Sequence, residues 1–343
     1  MAAKRTPRVY ALTGAETLLA REKIAELKSL AGADGTDAYD FEEVDGASLS
    51  ASAVLDTVAT VPFLAPRRLV IVSRADKIKD AEATRLAQSF EKLPETSLLV
   101  FVFDPQEDER RVPAAEKTIV AAADQVVKCV APAASAFIVE LQKRAEKLGS
   151  RLDRGAASKL AEMTSHNLTD AIAELEKCAL YANTSPITGD IVVKVAAPSQ
   201  EWEVFKMLDA ISAGNLGTAL ENLRRLVRDS GRIEEAAVRS LFPMIHRQLR
   251  LLWQARACID ANQSPAKAEG ILVKRHNLAA ANEYARSRVL DTARRLPIDV
   301  IAAMLRALSD ADLRLKGQLP AAFPKETVER MVVEMCETAA VLR

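Results

Sequence analysis

The alternation of apolar and polar positions along the chain changes character once, near Pro132. Before that point, short runs rich in Val, Ile, Leu, Phe and Tyr alternate with longer amphipathic stretches. Val9–Leu12, Tyr39–Val44, Arg68–Ser73, Ser97–Phe103 and Gln125–Val130 read as strands. Glu16–Leu30, Leu49–Ala59, Ala81–Leu93 and Ala114–Ala122 read as the helices between them. Strand and helix in alternation predict a parallel sheet covered on both faces, because each parallel crossover needs a helix-length connection. The unbroken apolar run Leu69–Val72 predicts a central strand, since a half-solvated edge would show a period of two.

Beyond Pro132 the pattern is helical. Ser135–Leu148, Asp153–Met163, Asn167–Tyr181 and Thr188–Val195 form one group, although Ile191–Val195 alone also suits a short strand. Asn167 or Thr169 is placed to cap the third of these helices. Ser199–Ser212 opens a further helical stretch, broken at Gly214, Gly231, the Asn262–Pro265 turn, Pro297 and the Gly317–Pro324 loop. The expected fold class is α/β plus all-α, in three domains: α/β over 1–133, a small helical domain over 134–200 and a helical domain over 201–343.

Composition narrows the function classes. The 343 residues are 49% hydrophobic and 27% charged, enough for sizeable cores and unlike a disordered chain. The 47 basic and 47 acidic side chains cancel, which excludes a protein that coats nucleic acid by bulk charge. Any DNA contact is then local or shared with a partner. Cys129, Cys178, Cys258 and Cys336 are far apart, and with His166, His246 and His276 they offer no zinc-finger spacing. Free thiols in a reducing compartment are the expectation. With no apolar signal segment and no apolar stretch near ~20 residues, a cytoplasmic protein without a membrane partner is expected.

The sites where chemistry would sit are depleted. Gly14 ends the first strand and opens a helix, where a phosphate loop would place G-x-x-x-x-G-K-[ST]; the spacing here reads Gly14, Leu19, Ala20, Arg21. After Leu69–Val72, where an ATPase carries magnesium-binding carboxylates, the chain reads Ser73-Arg74. Asp76 and Asp104 read as cap or turn residues. His246 has no Cys, Ser or Asp at motif spacing and reads as the polar face of a helix whose stripe is Leu241, Ile245, Leu249 and Leu252. Pro243 either kinks that helix or marks its start. Arg239, Arg247, Arg250 and Arg256, with Arg224, Arg225, Arg228 and Arg232, suit a solvated face or contacts to a partner or to DNA phosphates.

One segment departs from ordinary loop composition. Val61-Pro62-Phe63-Leu64-Ala65-Pro66, between a helix and a strand, frames two large apolar side chains with two prolines. Either Phe63 or Leu64 folds back under the sheet, or the pair is presented to a partner's pocket.

Taken in order, Val9 to Glu16, Phe63 to Val72, Asn167 to Asp170, Glu174 to Lys177, Glu203 to Lys206, Arg247 to Leu252 and Asp312 to Gly317 resemble the delta subunit of the bacterial DNA polymerase III clamp loader over essentially the whole chain. The resemblance implies an AAA+-like parallel-sheet domain with a helical lid domain, followed by a helical collar domain. It implies no catalytic site and no cofactor, with ATP hydrolysed by other subunits. Two more sites depart from those of ATPase relatives: Val127-Lys128-Cys129 stands in place of Ser-Arg-Cys, and Leu168-Thr169-Asp170 in place of Leu-Arg-Asp. The implied partners are the beta sliding clamp, the gamma/tau and delta-prime subunits, and primer-template DNA within the assembled complex. Phe63 and Leu64 match the element that inserts into a pocket of the clamp, in the reverse of a frequent Leu-Phe order. Two rival readings stand beside this one. An active AAA+ ATPase with a divergent site would need a Lys near Gly14 and an acidic pair near Ser73, and a helical scaffold unrelated to replication would leave the order of these fragments unexplained.

Overall fold

The computed structural model describes residues 6–32, 39–104, 112–227, 232–265, 278, 281, 283–320 and 323–341. Arg228, Gly231, His276 and positions 321–322 of the Gly317–Pro324 loop lie outside the described residues. Contacts divide the chain into two units, Met1–Ala131 and Pro132–Arg343.

In the first unit, β1 (Val9–Thr13), α1 (Thr17–Ala31), β2 (Phe41–Asp45), α2 (Ala51–Ala59), β3 (Arg68–Ser73), α3 (Asp80–Ser89), β4 (Ser97–Val102), α4 (Ala114–Ala122) and β5 (Gln125–Lys128) follow one another. The strands form the expected parallel sheet, in the order β2-β3-β4-β1-β5. Alternate residues of the interior strands feed two cores. Tyr10, Leu12, Leu69, Ile71, Leu98 and Val100 pack with Leu27 and Ala31 of α1. Val9, Ala11, Val70, Val72, Leu99 and Phe101 pack with residues of α2, α3 and α4. Burial on both faces is why these strands read as continuous apolar runs.

Leu69–Val72 lies in β3, an interior strand paired on both sides, as its unbroken apolar run predicts. Some boundaries move. Phe90–Lys92 is a turn of 3₁₀ helix beyond α3. Tyr39 and Asp40 precede β2 rather than opening it, and both belong to the site described below.

The second unit is helical. α5 (Ala134–Lys147), α6 (Arg154–Met163), α7 (Leu168–Ala182) and α8 (Gly189–Val195) pack on one another, so Ile191–Val195 is helix. Asn167, not Thr169, caps α7, its side chain accepting the Asp170 N–H at 3.0 Å. α9 (Gln200–Ser212), α10 (Leu216–Val227), α11 (Ile233–Ala236), α12 (Phe242–Asp260), α13 (Glu283–Arg295), α14 (Ile298–Leu315) and α15 (Pro324–Val341) complete it. A π turn over Ala237–Leu241 joins α11 to α12 with helical backbone throughout, and Pro243, which has no N–H to give the preceding turn, follows directly after that change of register. Leu241, Ile245, Leu249 and Leu252 are buried in a core shared with α9, α14 and α15, and His246 is exposed. All four cysteines are buried thiols, and burial pushes those of Cys178 and Cys336 up to about 11. Among the described residues no helix is long and apolar enough to cross a membrane, and no cluster of His, Cys, Asp or Glu could hold a metal ion.

Phe101 sits at the centre of the sheet, fully buried, with its ring centroid 5.7 Å from that of Phe90. Phe101→Ala is expected to destabilise the α/β unit by about 3–5 kcal/mol, measured by urea unfolding followed through probes in that unit. A loss below about 1 kcal/mol would contradict its place in the core.

Candidate functional site

The candidate site is the loop between α2 and β3 and the turn that precedes β2. Pro62 and Pro66 carry no backbone N–H, so the donors between them are those of Phe63, Leu64 and Ala65. One carboxylate takes all three. Asp40 Oδ1 accepts from Phe63 N at 2.7 Å, and Oδ2 accepts from Leu64 N at 2.6 Å and Ala65 N at 2.8 Å. Successive N–H groups converging on an anion form the concave backbone nest that elsewhere binds phosphate; here the anion is the chain's own.

Asp40 is tied to the sheet as well. Its carbonyl accepts the Leu69 N–H at 2.9 Å, one step beyond the β2–β3 ladder. The Arg68 guanidinium lies 3.5 Å from its carboxylate and donates to the Tyr39 carbonyl at 2.7 Å. The Asp40 side chain is 2% exposed. The N–H groups of Ala65, Leu64 and Phe63 hold its carboxyl below the usual aspartate range; burial opposes them and Arg68 assists. On the other flank Pro66 closes on Gly32, the left-handed cap of α1 at φ 75°, where a β-carbon would stand 2.6 Å from Pro66 Cδ.

With its backbone held, the loop turns its apolar side chains outward. Phe63 is 80% exposed and Leu64 60%, so neither folds back under the sheet. Val61, at 80%, and Tyr39, at 71%, stand beside them. The rings of Tyr39 and Phe63 meet edge to face, with centroids 6.4 Å apart. Large exposed apolar side chains gathered on this loop and the turn beside it are what a protein-docking surface offers. Sequence reasoning found Phe63 and Leu64 and missed Tyr39 and Asp40. Tyr39 reads as strand on composition, and Asp40 lies 23 residues from its first partner, so no local spacing signals the bond.

The other expected site is the turn after β1. Gly14 has φ 120°, and a β-carbon there would lie 2.2 Å from the Cys129 carbonyl oxygen. The end of β5 crosses this turn: Cys129 N–H donates to Thr13 O at 2.6 Å and Glu16 N–H to Cys129 O at 2.9 Å. The Glu16 carboxylate accepts the Leu18 N–H at 3.4 Å, placing a negative charge at the start of α1. Leu19 and Ala20 pack against the sheet, and Arg21 is exposed. After β3, Arg74 adopts φ 48° and pairs with Asp45. Asp76 lies in a 3₁₀ turn, pairs with Lys77 at 3.0 Å and accepts the Asp104 N–H at 3.4 Å, the turn role read from the sequence. Lys128 and Thr169 are both exposed.

Two family models match the sequence: DNA polymerase III, delta subunit, over residues 10–130, and DNA polymerase III delta subunit, C-terminal domain, over residues 201–323. Among solved structures, a Bacillus subtilis DNA clamp loader delta protein is similar, with a TM-score of 0.74 and 17% identity, covering 96% of this chain and 95% of that one. A Thermotoga maritima RuvB Holliday junction branch migration motor aligns with a TM-score of 0.34 and 13% identity over 64% of this chain and 74% of that one. No curated protein matches in sequence.

The direction of the Asp40 shift fixes a pH dependence. A carboxyl whose folded value is lowered adds stability that is fully present above its unfolded value and is lost as the pH falls through the folded one. The backbone amide resonances of Phe63, Leu64 and Ala65 are expected to titrate together, with one midpoint below the usual aspartate range, in an acid titration followed by NMR. Three separate midpoints, or one within the ordinary range, would contradict the shared carboxylate.

Proposed function

The chain belongs to the DNA polymerase III delta subunit family, and on that footing we propose that it is the clamp-binding subunit of a clamp loader, without a catalytic site of its own. The observation that carries this reading is the outward display of Phe63 and Leu64 on a loop whose backbone is fixed by Asp40. Such a pair inserts into an apolar pocket on the sliding clamp, with little loop ordering left to oppose docking. Burying both side chains supplies about 3–6 kcal/mol before ordering costs. If the pocket is better formed beside an opened ring interface, the subunit traps or promotes the open ring by that difference in affinity.

In this reading residues 1–133 and 134–200 are an AAA+-like domain and its lid, and 201–343 is the collar that joins the gamma/tau and delta-prime subunits in the cytoplasm. ATP is hydrolysed by those neighbours, and primer-template DNA is met within the assembled complex. The turn at Gly14 supports the absence of a nucleotide role here, because the Glu16 N–H is taken by Cys129 and a carboxylate lies where phosphates would need donors and positive charge.

Two measurements test the reading. The double variant Phe63→Ala/Leu64→Ala is expected to weaken clamp binding about a hundredfold or more, with an unchanged melting temperature and circular dichroism spectrum; unchanged affinity would overturn the docking role. Calorimetry of the isolated chain with ATP and magnesium is expected to show no binding heat, and a micromolar dissociation constant would overturn the nucleotide-free reading.

A further inference from the structure

The docking element is larger than the apolar pair. Tyr39 and Asp40 are consecutive, lie outside β2, and face the loop in two different ways. Asp40 reaches only the backbone of the loop: its oxygens take each N–H between the two prolines, and its own carbonyl is fixed on β3. Tyr39 reaches a side chain: its ring edge-packs on Phe63, while its carbonyl is fixed by Arg68. The Tyr39 ring stays largely in solvent, and the ring it touches is itself exposed. The arrangement presents the exposed side chains of Tyr39, Val61, Phe63 and Leu64 on a backbone that Asp40 already holds.

We propose that Tyr39 is a third contact to the clamp, beside Phe63 and Leu64, and that Asp40 is the positioning residue that holds the docking loop in its binding-competent form. The inference rests on the clamp-docking reading given above. Without the carboxylate, three donors between two prolines must turn to water and the loop samples other shapes. The apparent dissociation constant then rises by the inverse of the competent fraction. Asn keeps the size of Asp but offers one acceptor oxygen where two are used.

The test uses the full chain and the purified sliding clamp in isothermal titration, which separates affinity from the number of binding-competent molecules, with amide hydrogen exchange as a second readout. Asp40→Asn is expected to weaken binding about tenfold or more at unchanged stoichiometry, and to speed exchange at Phe63, Leu64 and Ala65. Tyr39→Ala is expected to weaken binding about three- to tenfold while leaving that exchange slow, and Tyr39→Phe to retain wild-type affinity. Tyr39 is exposed, so its removal leaves the core untouched.

Asp40→Asn lowering only the stoichiometry, with the dissociation constant unchanged, would reduce Asp40 to a folding role and overturn the latch. Unchanged affinity in Tyr39→Ala would overturn the third contact. Either result alongside a Phe63→Ala/Leu64→Ala variant that no longer binds leaves the docking reading intact. Full affinity in that double variant overturns the docking reading itself.

Discussion

Three backbone donors and one buried carboxylate govern the loop between α2 and β3. The flanking prolines offer no N–H of their own, and each of the three donors between them is satisfied by the same carboxylate. That carboxylate belongs to Asp40, which is fixed in turn by a ladder bond to β3 and by Arg68. The sheet therefore positions the loop through one residue. The apolar side chains play no part in holding their own backbone, which is why they are free to face solvent.

The same parallel sheet has a second natural site, the turn that follows β1. In a nucleotide-binding protein the first N–H groups of the helix after that strand face an anion. Here the end of β5 has closed over the turn, and the Glu16 carboxylate occupies the helix start. Both sites thus use a carboxylate on backbone N–H groups. At the turn after β1 it stands where a ligand anion would go, and before β2 it takes the place of solvent.

The sheet was legible because its interior strands are buried on both faces. Residues such as Leu69–Val72 and Ser97–Val102 have few polar positions. The edge strands were less so: Tyr39 has strand-like chemistry, but pairing with β3 begins at Phe41, and only coordinates reveal that the chain before it turns to the loop. Phe63 and Leu64 stood out because two apolar residues between prolines contradict loop composition. Asp40 carried no such contradiction. Its importance comes from a bond across 23 residues, and an aspartate beside a strand is chemically unremarked in any local window. In the helical unit, the stripe from Leu241 to Leu252 was readable, whereas the π turn before Pro243 was not, because it ends where that stripe begins and leaves its spacing intact.

A holder that grips only main chain is indifferent to what the side chains are. The bonds from Phe63, Leu64 and Ala65 to Asp40 would form equally well with the two large residues exchanged, lengthened or branched, so long as neither becomes proline. The loop thus behaves as an interchangeable tip on a fixed mount. The outward side chains can therefore change in size and shape while the backbone beneath them stays held by the same three bonds.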